Sequence, residues 1–198
     1  MQIKIILSVL TLFSLVFFLP SDAYANDGSI ILETTSLEHD ARQGQYNSLV
    51  QVDSDTYALA YAGVDNHGHI STFTISSDGS SVVEVDTLEH DTVQGLHNSL
   101  VQVDSDTYAL AYAGAGDNGF ISTFTIDSDT GAITPILIQN HAVKGGSANL
   151  EHDETKGLHN SLVQVDSDTY ALAYTGIDTN GFISTFTISS DGSSIVEV

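Results

Sequence analysis

No cysteine occurs in this sequence, so no disulfide can staple the fold, and stability must come from a packed core or from bound ions. Basic residues are nearly as scarce. Four lysines and arginines stand against 26 aspartates and glutamates, a formal net charge of −22 with histidine neutral. Such a surface repels nucleic-acid phosphates and anionic lipid heads, and leaves cations, basic partners or simple solubility as what the charge serves. High negative charge can accompany disorder, but here it is interleaved with regular Val, Ile, Leu, Tyr and Phe, which points to a folded domain. Helical periodicity with caps is absent after the N-terminus, and so is any second long apolar run.

The N-terminus is the exception to that polarity. Lys4 gives a short positive start, residues 5–19 are mostly apolar, Pro20 ends the run, and Ala23-Tyr24-Ala25 offers a small-x-small cleavage pattern. The run is shorter than the roughly 18–20 residues a membrane-spanning helix needs. Residues 1–25 therefore read as a signal peptide, with an uncleaved anchor as the alternative. A secreted or cell-surface location follows, with no membrane span after cleavage. Lys4 and Asp22 offset each other, so residues 26–198 keep the charge of −22.

What the sequence has in abundance is repetition. The segment NSLVQVDSDTYALAY begins at Asn47, Asn98 and Asn160, ISTFTI at Ile70, Ile121 and Ile183, and Leu-Glu-His-Asp at Leu37, Leu88 and Leu150. The last spacing is 51 and then 62 residues, which places an 11-residue insertion within residues 134–149. Each unit reads as four strands. In the first they are residues 48–52, 56–62, 69–76 and 81–88, the second alternating Tyr, Leu, Tyr on one face with Ala on the other. Asp78-Gly79 is a hairpin signal between the last two, because Asp and Gly tolerate positive φ. Repeats run over about 41–91, 92–153 and 154–198 of a single domain at 26–198, preceded by an orphan outer strand at 28–40.

Four antiparallel strands in about 50 residues, with an Ala-lined face suited to close stacking, resemble the blades of the β-propeller repeat families, WD40 and kelch among them. The WD dipeptide is absent, and so is the kelch double-glycine signature of each blade. The turn at Ser128-Asp129-Thr130-Gly131-Ala132-Ile133-Thr134 is similar to one common in lactonase-type propellers. The expected fold is all-β, an array of about three four-stranded blades plus one extra outer strand; a β-solenoid is the rival. Closed propellers have about four to eight blades, so either the chain is a fragment or a homodimer completes a six-bladed ring.

In a propeller the loop leading into each first strand shares a rim with the loop between strands two and three. That rim would gather His39, Asp40 and Asp65 from one unit, His90, Asp91 and Asp117 from the next, and His152, Asp153 and Asp178 from the third. Imidazole suits zinc-like ions, and carboxylate oxygens suit calcium, the cofactor this set would take. Resemblance to WD40 blades implies another role, a His–Asp hydrogen-bonded network fastening strands within a blade, and the structural role is the preferred expectation. His97 and His159 are set aside as surface or rim residues, because Tyr46 replaces them in the first unit. The aspartates of the opposite rim, such as Asp53, Asp104 and Asp166, read as turn formers. Tyr57, Tyr61 and Phe73 read as core.

No Gly-x-Ser-x-Gly elbow, His-Glu-x-x-His or phosphate-cradling loop is present. The leading expectation is a secreted non-enzymatic binding or scaffold module that meets an extracellular protein, glycan or surface, with no nucleic-acid partner. A metal-dependent hydrolase of lactonase type and a structural repeat of a cell-surface protein are the alternatives.

Overall fold

The computed structural model describes residues 36–138 and 149–198, together with the backbone of two short strands, β1 (Ala25–Asn26) and β2 (Ser29–Ile30), which pair antiparallel as a separate unit. The expected signal peptide up to residue 24, residues 28 and 31–35 of the expected orphan strand, and most of the insertion lie outside the described residues. Among the described residues no helix is long and apolar enough to cross a membrane.

Residues 36–198 build three antiparallel sheets in chain order. The first holds β3 (Gln45–Gln51), β4 (Thr56–Ala62), β5 (Gly68–Ile75) and β6 (Val82–Asp91). The second holds β7 (Leu96–Gln102), β8 (Thr107–Ala113), β9 (Gly119–Ile126) and an outer strand in two pieces, β10 (Ile133–Pro135) and β11 (Asn149–Asp153). The third holds β12 (Leu158–Gln164), β13 (Thr169–Thr175), β14 (Gly181–Ile188) and β15 (Ile195–Glu197). The insertion interrupts an edge strand and nothing else. β9 pairs with both pieces, Phe124 facing Pro135 and Ser122 facing Asn149, so the ladder resumes across the gap.

The fourth strand is longer than the sequence pattern predicts. It runs through Glu89, His90 and Asp91, with Glu89 opposite His69 and Asp91 opposite Gly68, so the Glu-His-Asp motif ends a strand and is not a free loop. Turn chemistry follows expectation. The Asp53 carboxylate accepts the N–H groups of Asp55 and Thr56, and those bonds hold it below the usual carboxylate range. Asp78 does the same for Ser80 beside Gly79, whose φ of +71° only glycine adopts without strain.

The period-two alternation of the second strand decides how sheets stack. Ala109 and Ala111 of β8 face the third sheet, where Tyr170, Leu172, Tyr174 and Phe186 fill the opposing surface. Tyr108, Leu110 and Tyr112 face back toward Ala58, Ala60 and Ile70 of the first sheet. A small-residue face thus meets a large-residue face at each junction, and Tyr108, Tyr112 and Leu110 are fully buried there. β3, β7 and β12 pack side by side as the innermost strands.

Candidate functional site

The rim that receives the start of each innermost strand carries three layers of side chains. The deepest is the histidine of each Glu-His-Asp. His39, His90 and His152 set their rings edge-on against Tyr61, Tyr112 and Tyr174, with centroids 4.7, 4.8 and 4.8 Å apart. His90 and His152 each lie between two sheets: a Cβ added to Gly68 would strike the His90 ring, and one on Gly119 the His152 ring. Neither ring nitrogen of His90 or of His152 has a hydrogen-bond partner among the described residues. Burial pushes the His90 imidazole down to about 3, helped by nearby His69, and His152 down to about 4 against the pull of Asp153. Both are neutral packing groups.

The middle layer fixes turns. Asp40 accepts the N–H groups of Arg42 and Gln43, Asp91 those of Val93 and Gln94, and Asp153 those of Thr155 and Lys156. For Asp40 the Gln43 and Arg42 bonds hold the carboxyl below its ordinary value. For Asp153 burial pushes upward, but the Lys156 and Thr155 bonds outweigh it.

The expected His–Asp network is replaced by different partners. Asp117 accepts from the Gln94 amide at 2.7 Å, Asn66 from Gln43 at 2.7 Å, and Glu151 from Asn118 at 2.6 Å, while Glu89 meets His67 at 2.5 Å. The register explains part of this. Each sheet has a short 3-10 turn between its second and third strands, over Val64–Asn66, Ala115–Asp117 and Ile177–Thr179. Asp65 and Asp178 occupy its middle position, but Gly116 does in the second sheet, and Asp117 falls in the place of Asn66. The three aspartates are therefore not one column. Among the described residues, no group of three or more His, Cys, Asp or Glu side chains stands close enough to hold a metal ion.

The outermost layer contains residues that sequence reasoning passed over. Tyr46, His97 and His159 stand second in the three innermost strands, at a β-bulge where the pairing register shifts by one residue. Their φ angles are 54°, 54° and 53°, a conformation that costs non-glycine residues about 1–3 kcal/mol and clusters at functional sites. The rings form a continuous column, Tyr46 to His97 and His97 to His159, each pair 4.3 Å between centroids. Partial burial lowers the His97 pKa first, the neighbouring His159 lowers it further, and Asp117 opposes both. Asn47, Asn98 and Asn160 brace the bulges by donating to the carbonyls of Gly44, Gly95 and Gly157. The Tyr-for-His exchange looked disqualifying for a metal ligand, yet it keeps an aromatic ring in the column.

No described protein family and no curated protein matches the sequence. Solved structures do match the fold. A protein from Lactobacillus plantarum superposes with a TM-score of 0.58 at 18% identity, covering 88% of this chain and 48% of its own. The periplasmic gluconolactonase of Pseudomonas aeruginosa superposes with a TM-score of 0.53 at 11% identity, covering 77% of this chain and 44% of its own. The chain thus spans about half the length of the solved structures it matches. With its three antiparallel four-stranded sheets stacked around innermost strands, the fold is all-β and of the β-propeller kind.

Proposed function

We propose that the chain is a lactone hydrolase of propeller type whose reaction centre is the Tyr46–His97–His159 column. The observation that carries this is the column itself: three bulged, left-handed positions kept at the cost of strain, their rings in contact from one innermost strand to the next. A propeller neighbour described as a gluconolactonase supports the choice of reaction. His97 is held toward its neutral form by burial and by His159, which suits it as a general base near neutral pH.

In this reading His97 takes a proton from water as the water oxygen bonds to the lactone carbonyl carbon. The C–O bond to the ring oxygen then breaks, and the imidazolium returns its proton to that oxygen. The product is a hydroxy acid whose carboxylate meets a chain of net charge −22, which favours release and disfavours phosphorylated lactones. An uncharged sugar-derived lactone is the substrate class.

The test is proton release from an aldonolactone at neutral pH. Turnover above the buffer rate, reduced at least about 100-fold in His97→Ala with the fold retained, supports the assignment. A wild-type rate equal to buffer alone, or full activity in His97→Ala, refutes it. The second reading is a secreted module that binds an extracellular protein, glycan or surface. It is favoured by the near-identity of the three repeats, which suits a repetitive ligand, and it predicts saccharide binding without turnover in the same assay.

A further inference from the structure

We infer that two copies of this chain close on each other head to tail, the open face of the third sheet against the open face of the first, and that residues 37–40 of each copy complete the outer strand of the other's third sheet. The inference stands apart from the catalytic reading, since it uses no residue of the ring column.

The two junctions inside the chain show what such a joint requires. In each, a backbone N–H of the later sheet donates to a serine of the earlier one: Leu100 to Ser48 and Leu162 to Ser99, both at 2.9 Å. In each, a buried threonine donates to a hairpin glycine of the later sheet: Thr72 to the Gly131 carbonyl at 2.7 Å and Thr123 to that of Gly192 at 2.8 Å. Among the described residues, the outward faces of the first and third sheets carry the counterparts of these groups. Ser161 and Thr185 lie on the third sheet, while the Leu49 N–H and Gly79 lie on the first. A Cβ on Gly131 or Gly192 would strike the preceding sheet, whereas one on Gly79 meets nothing within 4 Å.

Apolar exposure matches. Ile183 is 77% exposed although Ile70 and Ile121 are fully buried, and Leu49 is 58% exposed although Leu100 and Leu162 are 5%. Leu49, Leu37, His39 and Phe73 line one apolar groove on the first sheet. The outer strand fits as well. Among the described residues, β15 pairs with Phe186, Thr187 and Ile188, Val198 adds a bond to Thr185, and no strand lies on the edge at Phe182 and Ile183. In the other sheets that edge is taken by Leu-Glu-His-Asp, with Leu88 on Ile70 and Leu150 on Ile121. Leu37 of a second copy would pair with Ile183, and its His39 would fill the open space over Gly181, where a Cβ also meets nothing within 4 Å. Large meets small, donor meets acceptor and an edge meets its strand, so the occupant is a second copy. Two such joints related by a two-fold axis give six blades, within the range of about four to eight that closes a propeller.

Sedimentation equilibrium on the full chain tests this. A discrete dimer is expected, with Leu49→Asp and Ile183→Asp each monomeric and Val93→Asp, on an exposed turn, still dimeric. Mixing Leu49→Asp with Ile183→Asp should recover a dimer, because one of its two joints then joins unaltered faces; this also proves that both variants fold. Gly181→Val, which has room within its own chain, should split the dimer too. A wild-type monomer, an open-ended oligomer series, a dimer unaffected by the substitutions, or failure of the mixture to recover would each overturn the inference.

Discussion

Acid should unfold this protein through its two interblade histidines before its carboxylates begin to protonate. His90 and His152 have an ordinary value of 6.5 when unfolded and about 3 and 4 in the fold, because both ring nitrogens of each are out of solvent without partners. Each residue is half-buried as a whole, but its ring nitrogens are out of solvent and carry the proton, so burial there governs the shift. The folded value lies below the unfolded one. The stabilisation is therefore complete above pH 6.5 and is lost as pH falls toward the folded value, since the unfolded chain binds protons that the native one refuses. At 1.36 kcal/mol per unit, each histidine forfeits about 2 kcal/mol between about pH 7 and pH 5, and the pair about 4 kcal/mol. Both rings stay mostly neutral in the fold at about pH 5.

Urea unfolding at fixed protein concentration, repeated from neutral pH down to about pH 5, measures the slope. His90→Phe should remove about half of it while preserving the edge-on contact with Tyr112. The aspartates held below their ordinary value of 3.8, such as Asp40 and Asp53, lose stability with the same sign but only in more acidic solution. They do not confound the upper window. A stability that is flat or rises from neutral to about pH 5, or a slope unchanged in His90→Phe, would show that these rings are hydrogen-bonded or solvated in the folded protein.

Gly95→Ala should destabilise by about 3 kcal/mol in the same urea assay, because its Cβ would fall on the Gly68 backbone, which cannot swing away as a side chain can. Gly44→Ala should cost less, since the nearest obstacle is the His39 ring at 2.7 Å. Equal losses would mean that the glycine pairs are not in backbone contact. Thr123→Val should cost about 1–3 kcal/mol by orphaning the buried Gly192 carbonyl, and a neutral result would deny that bond.

Much of the architecture was legible because a repeat shows which positions are equivalent. The alternation in Thr107–Ala113 predicts a small face and a large face, and the structure places them against complementary faces of different sheets. The aspartate turns were readable for the same local reason: one carboxylate satisfies N–H groups two and three residues away. The rim was harder. Whether Asp117 stands in register with Asp65 depends on Gly116 taking the middle of a three-residue turn, and pattern alone cannot show which of two adjacent residues does so. The ring column was invisible because a bulge turns Tyr46, His97 and His159 out of their strands' alternation, while the histidine spacing that attracted notice served packing.

The Glu-His-Asp motif shows why a repeated constellation need not be a site. Its three residues part company: Glu89 turns to the rim at His67, His90 enters the joint with the next sheet, and Asp91 closes a turn. A motif that serves every joint must recur at every joint, so its recurrence reports stacking. The informative positions are those where otherwise matching repeats differ. The turns Asp53-Ser54-Asp55, Asp104-Ser105-Asp106 and Asp166-Ser167-Asp168 are identical at one rim. At the other, Tyr46 stands for His97 and His159, His69 for Phe120 and Phe182, and the 3-10 turns share no common sequence. Both substitutions keep a ring, tilted against the next column residue or stacked on Tyr61, Tyr112 and Tyr174, while changing what that ring offers to a ligand. Shape is held and chemistry is varied at one end of the array, which is the pattern of a surface that meets something.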